Sequence, residues 1–188
     1  MRLTLVAPRM TAIKTRFGIH NQINLPKDEV LPGSWYPILR DALSGTAELF
    51  QWGLSDAKMG QNDRLVYAIK VEELMTKAGR GFLTKRVLVP VNSFLIRNNS
   101  QTFAVKSKMS GPFAVAAVWD IAGQWRGRPT HAFRIITGPT VEGYEELGPR
   151  WPIVLRPENE RDWLWHFTDE DQALDALEPD LNLEFEVV

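Results

Sequence analysis

Cysteine is absent from the 188-residue chain. Disulfides, thiolate metal sites and thiol nucleophiles are therefore excluded, and a cytoplasmic location is the default expectation. Long apolar runs are missing too. None approaches the ~20 residues that span a bilayer, so no membrane partner is expected. Between Met1 and Pro8 only four or five residues are apolar. That is too few for the core of a signal peptide, and the segment reads as a first strand. Histidine is scarce. His20, His131 and His166 are scattered, without the close spacing of a zinc-ligand pair. There is no Gly-rich phosphate loop, and Ser44, Ser55, Ser93, Ser107 and Ser110 lack the strand-turn-helix setting of a hydrolase nucleophile. No metal or cofactor is expected.

The residues present suit a globular chain, with 44% apolar and 24% charged side chains. No repeat, low-complexity tract or long linker divides it, so residues 1–188 are read as a single domain. The net charge of −1 hides an asymmetry. Positions 158–188 hold 11 acidic residues and one basic residue, Arg161, which leaves 12 acidic against 21 basic residues in the first 157 and a local balance of +9. Such a split fits an anionic partner for the basic part, or an acidic end that folds back and neutralises its own surface.

Strand signals dominate. Leu3–Val6, Leu49–Leu54, Arg64–Ile69, Arg86–Pro90, Thr102–Lys106, Pro112–Trp119 and Ala132–Thr137 carry alternating, β-branched or aromatic residues between turn signals. Asn98-Asn99-Ser100 and Gly123–Arg128 read as hairpin turns, 24–37 as mostly loop, and 181–188 as a final strand. Helices are predicted over 11–17 with Thr11 as cap, and over 71–83 with Leu74, Ala78 and Phe82 on one face. Two more are predicted from Pro157 through Trp163 and from the acidic Thr168–Asp171 onward. The expected fold class is α+β but mostly β, a curved mixed sheet forming a barrel-like core with a few peripheral helices.

The order of several segments resembles the SOS-response-associated peptidase (SRAP) family. Arg16-Phe17-Gly18-Ile19 is similar to the family's Arg-Phe-Gly-Leu, and Gln51-Trp52-Gly53-Leu54 to its Arg-Trp-Gly-Leu. Leu31-Pro32-Gly33 with Tyr36–Leu39 resembles its Ala-Pro-Thr loop and following strand. Arg86–Phe94 parallels Arg-Cys-Leu-Val-Pro-Ala-Asp-Gly-Phe, Phe113–Asp120 parallels Phe-Ala-Phe-Ala-Gly-Leu-Trp-Glu, and Phe133–Thr137 parallels Phe-Thr-Ile-Ile-Thr. The most specific match is Arg150–Glu158 followed by Trp163-Leu164, similar to Arg-Met-Pro-Val-Ile-Leu-Pro-Pro-Glu and then Trp-Leu.

The resemblance implies action on single-stranded DNA carrying abasic sites, in the SOS response to DNA damage. It implies an N-terminal cysteine that captures the sugar aldehyde and cleaves its own chain as a peptidase, helped by an asparagine, a glutamate and a histidine. This sequence departs at each position. Arg2 stands where the cysteine belongs, Ile96 where the glutamate belongs and Gly148 where the histidine belongs, while the asparagine falls near Val66 or Tyr67. The site is thus expected to be degenerate. DNA binding can outlast chemistry, since it needs only cations for phosphates and aromatic faces for bases. The candidates are Trp52, Lys58, Lys70, Arg86, Arg97, Arg126, Arg128 and Arg150, with ordinary solvated surface as the alternative for the cations. The family's aromatic after Trp-Gly-Leu is missing from Ser55–Lys58. A rival expectation is a protein-interaction module of phage or mobile-element origin, with Ile96 and Trp151 on an apolar contact surface.

Overall fold

The computed structural model describes residues 2–27, 29–41, 43–55, 65–125 and 128–188, with backbone alone at 55, 123–125 and 128–129. Its centre is built from β8 (Arg86–Val91) and β11 (Phe113–Trp125), which pair antiparallel. Strand alternation sorts their side chains into two sets. Val87, Val89, Val91, Phe113, Val115 and Ala117 point to one face, and Leu88, Ala114, Ala116 and Val118 to the other. All are buried. Covering on both faces explains why these strands read as nearly continuous apolar runs.

The larger sheet runs in the order β3 (Trp35–Ile38), β4 (Glu48–Trp52), β12 (Arg128–Pro139), β11, β8, with β7 (Ala68–Lys70) and β13 (Arg150–Pro152) also on β12. Strand β12 runs parallel to β4 and β7 and antiparallel to β11, so the sheet is mixed. It curls until its ends meet. Leu39 and Leu88 exchange backbone hydrogen bonds of 2.9 and 2.8 Å, and the Tyr36 hydroxyl donates to the Pro90 carbonyl at 2.9 Å. The fold is α+β and mostly β, with a nearly closed barrel-like sheet, as the sequence suggests.

A second, antiparallel sheet has the order β14 (Leu183–Val187), β10 (Gln101–Ser107), β9 (Ser93–Asn98), β1 (Arg2–Val6), β2 (Glu29–Val30). Its Leu3, Leu5, Phe94, Ile96, Phe103 and Val105 fill the first core against the curled sheet. On the outer face of the curled sheet, α1 (Met10–Phe17), α3 (Glu160–Leu164) and α4 (Glu170–Asp175) close a second core through Ile13, Trp163 and Ala173.

Two local expectations are corrected. Helix α1 begins at Met10 after Arg9, with no side-chain cap from Thr11. The segment 24–37 is mostly loop, as expected, with β2 and part of β3 in it. The helix expected over 71–83 stops at Leu74, as α2 (Val71–Leu74), and a 3-10 turn resumes at Arg80–Thr84. A Cβ on Gly79 would lie 1.8 Å from the Glu73 carbonyl oxygen, so the chain folds back there more tightly than a helix allows. Ala78 is left exposed and Phe82 half-buried. The predicted start of α4 holds. Asp169 accepts from the Gln172 amide at 2.8 Å, and Gln172 Oε1 accepts from the Asp169 amide at 3.2 Å. The turn expected at 123–128 has its centre outside the described residues.

Candidate nucleic-acid interface

Strands β1 and β9 bring the degenerate positions together. Arg2 lies opposite Arg97 and Leu3 opposite Ile96. Alternation turns Leu3 and Ile96 inward, where both are fully buried, and leaves Arg2 and Arg97 exposed. An apolar side chain thus fills the core where the resemblance expects a glutamate. Gly148 has φ 102°, a left-handed value that favours glycine. A Cβ there would meet Asn98 Cγ at 3.1 Å. Asn98 is itself held, because its Nδ2 donates to the Glu146 carbonyl at 3.0 Å, while the Gly148 carbonyl accepts from Thr140 Oγ1 at 2.7 Å. A histidine at 148 would strain the backbone and displace Asn98. Tyr67, near the expected asparagine, packs edge-on against Trp52 at 5.9 Å.

Three of the candidate cations share one cleft. Lys70 at the end of β7, Arg97 at the end of β9 and Arg150 at the start of β13 line a cavity of about 440 Å³ with Glu73, Asn98 and Thr137. Among the described residues no ion pair engages Lys70, Arg97 or Arg2. Like charges directly opposite on paired strands repel, so the Arg2–Arg97 pair favours a nearby anion. Arg150 differs. Its Nη1 and Nη2 donate to the two Glu72 carboxylate oxygens at 2.9 and 2.5 Å, and Nη2 also donates to the Thr137 carbonyl at 2.8 Å. The guanidinium holds the Glu72 carboxyl below its usual range.

The family model described as SOS response associated peptidase (SRAP) matches residues 2–188. The chain belongs to the SRAP family. It is 27% identical over 197 residues to "Abasic site processing protein YoqW" of Bacillus subtilis (strain 168), covering 91% of this chain and 86% of that one. A protein of the same name from Bacillus phage SPbeta matches equally. "Abasic site processing protein YoaM" of B. subtilis is 27% identical over 139 residues, covering 68% of this chain and 60% of YoaM. Crystal structures of proteins from Bordetella bronchiseptica and Bacteroides thetaiotaomicron superpose with TM-scores of 0.83 at 13% and 18% identity. They cover all of this chain and 99% and 92% of theirs, and so share the fold. Among the described residues no helix is long and apolar enough to cross a membrane.

Other sequence candidates of this SRAP chain lie elsewhere. Trp52 is fully buried, parallel to Phe133 at 6.4 Å, and its Nε1 donates to the Tyr67 carbonyl at 3.1 Å. It offers no face to a base. Arg86 is buried as well. It donates to the carbonyls of Trp163 at 2.5 Å, Trp165 at 2.6 Å and Leu83, which ties β8 to the end of α3, and burial lowers its pKa. Both are corrections to the candidate set: Trp52 lies on the inward face of β4, and Arg86 lies in β8, which is buried along its whole length. Arg86 had a signal, since a charge inside a fully apolar strand must find its partners internally. Lys58 and Arg126 lie outside the described residues, as does the Arg128 side chain. The apolar contact surface expected at Ile96 and Trp151 is not formed. Ile96 is buried, and Trp151 is 2% exposed and stacked on Tyr144 at 5.0 Å. Sequence reasoning missed Arg2 as a cation, and it missed Glu72, Asn98 and Thr137 altogether. Only strand register sets Arg2 opposite Arg97, and only a contact across 78 residues sets Glu72 on Arg150.

Proposed function

We propose that this chain binds single-stranded DNA through the Lys70–Arg97–Arg150 cleft, in the DNA-damage setting named by its abasic-site-processing relatives and without the family's thiol chemistry. The convergence of three cations from separate strands on one cavity carries the reading. Cations along a groove displace the counterions of a phosphate backbone, and this term dominates binding that ignores sequence. Loss of the chemistry follows from residue types. The chain has no sulfur nucleophile, and neither Ile96 nor Gly148 can accept or donate a catalytic proton. The same reading treats residues 1–188 as one domain acting in the cytoplasm, and the relative in phage SPbeta supports a phage association.

Fluorescence anisotropy with a labelled single-stranded oligonucleotide tests the binding. The logarithm of the affinity is expected to fall linearly with the logarithm of salt concentration, with a slope of about −0.7 for each phosphate neutralised. Arg97→Ala should make that slope shallower by about 0.7. No binding by the wild type at low salt would sink the proposal.

A further inference from the structure

Within the cleft, the cation tied to the deepest part of the fold is already occupied. Arg150 presents both terminal nitrogens to Glu72 in a two-on-two arrangement, the geometry with which a guanidinium also takes two oxygens of a phosphate. The partners are held unequally. Arg150 stands on β13, its Nη2 is anchored to the Thr137 carbonyl of β12, and its side chain is 25% exposed. Glu72 stands in the four-residue helix α2, its side chain 53% exposed. Of the two, the glutamate is free to leave, and the arginine would stay in place when it does.

We infer that Glu72 is an internal stand-in for a backbone phosphate. Its carboxylate closes the Arg150 fork in the free protein and is displaced when a phosphodiester of a bound strand takes the same two nitrogens. The inference rests on the DNA-binding reading of this cleft and adds its regulation. An exposed ion pair opposes opening by no more than about fivefold, so a strand that also engages Lys70 and Arg97 can displace it.

A consequence follows for salt dependence. When the strand replaces Glu72, Arg150 exchanges one anion for another and the freed carboxylate regains its own counterions. Arg150 therefore adds little to the salt slope of the wild type, which reports mainly Lys70 and Arg97. With the carboxylate removed, Arg150 becomes an open cation and its full contribution returns.

A double-mutant cycle with the same labelled oligonucleotide, measured across a salt series, tests this. Glu72→Gln is expected to tighten binding by up to about fivefold and to steepen the slope by about 0.7. In an Arg150→Ala background the same change should do neither. Circular dichroism melts establish that each variant is folded. Should Arg150→Ala unfold, Arg150→Lys keeps the charge without the fork and should remove most of the gain. Wild-type binding that responds to Arg97→Ala but is unchanged or weakened by Glu72→Gln would overturn the inference and leave the DNA reading standing. A gain that persists undiminished without Arg150 would also overturn it, because Glu72 would then act only as a general repulsive charge. Failure of both the wild type and Glu72→Gln to bind at low salt would remove the DNA reading itself.

Discussion

Arg86 and Arg150 both lie on strands in family-like motifs, yet their surroundings give them different work. Arg86 is buried and donates to main-chain carbonyls at the end of α3. Arg150 faces a cleft and an exposed carboxylate. Replacing Arg86 by alanine leaves buried acceptors without donors beside Trp163, at a cost of about 3 kcal/mol. A thermal melt of Arg86→Ala should show that loss, while the salt slope of DNA binding, measured well below the melting temperature, should not change. An unchanged melt with a shallower slope would return Arg86 to the phosphate contacts. At this scale, residue identity was legible and exposure was not. Ile96 and Gly148 can be seen from the sequence to lack a proton-transfer group. That Trp52 faces the core inside the curled sheet, and Arg86 the carbonyls at the end of α3, depends on contacts between residues far apart in the chain.

At the scale of elements, local signals carried well where they were sufficient by themselves. The β-branched runs of β8, β11 and β12 and the acidic start of α4 need no distant partner to be recognised. The segment 71–83 shows the opposite case. Leu74, Ala78 and Phe82 have helical spacing, but the close approach of Gly79 to the Glu73 carbonyl ends the helix, and Thr76 Oγ1 donates to that same carbonyl at 2.7 Å. The two accounts predict opposite signs for Gly79→Ala. Inside a helix alanine would stabilise by about 1 kcal/mol. In the observed turn its methyl group clashes with main chain and should destabilise by more than about 1 kcal/mol. Urea denaturation of the variant reads the sign directly, and a raised midpoint would contradict the turn. Strands β2, β3 and β9 and the parallel pairing of β12 with β4 and β7 were less legible, because pairing partners rather than composition define them.

For the whole molecule, the charge asymmetry resolves into two populations. Acidic residues of the last 31 positions pair with basic residues elsewhere, as in Arg16–Glu160 at 2.6 Å, Arg80–Glu170 at 3.2 Å, Lys106–Glu186 at 2.5 Å and Arg156–Glu178 at 2.8 Å. The acidic end therefore neutralises part of its own surface, as one of the two sequence readings held. Among the described residues none of these pairs reaches Lys70, Arg97 or Arg150, and the carboxylate that does comes from Glu72. The cleft thus keeps its positive character beside Ile96 and Gly148. The most direct test is one gel experiment on single-stranded DNA with a single abasic site, run in native and denaturing halves. The account predicts a retarded band in the native half at low salt and only free DNA in the denaturing half. A band that survives denaturation would contradict the loss of chemistry, and no retardation in the native half would contradict binding.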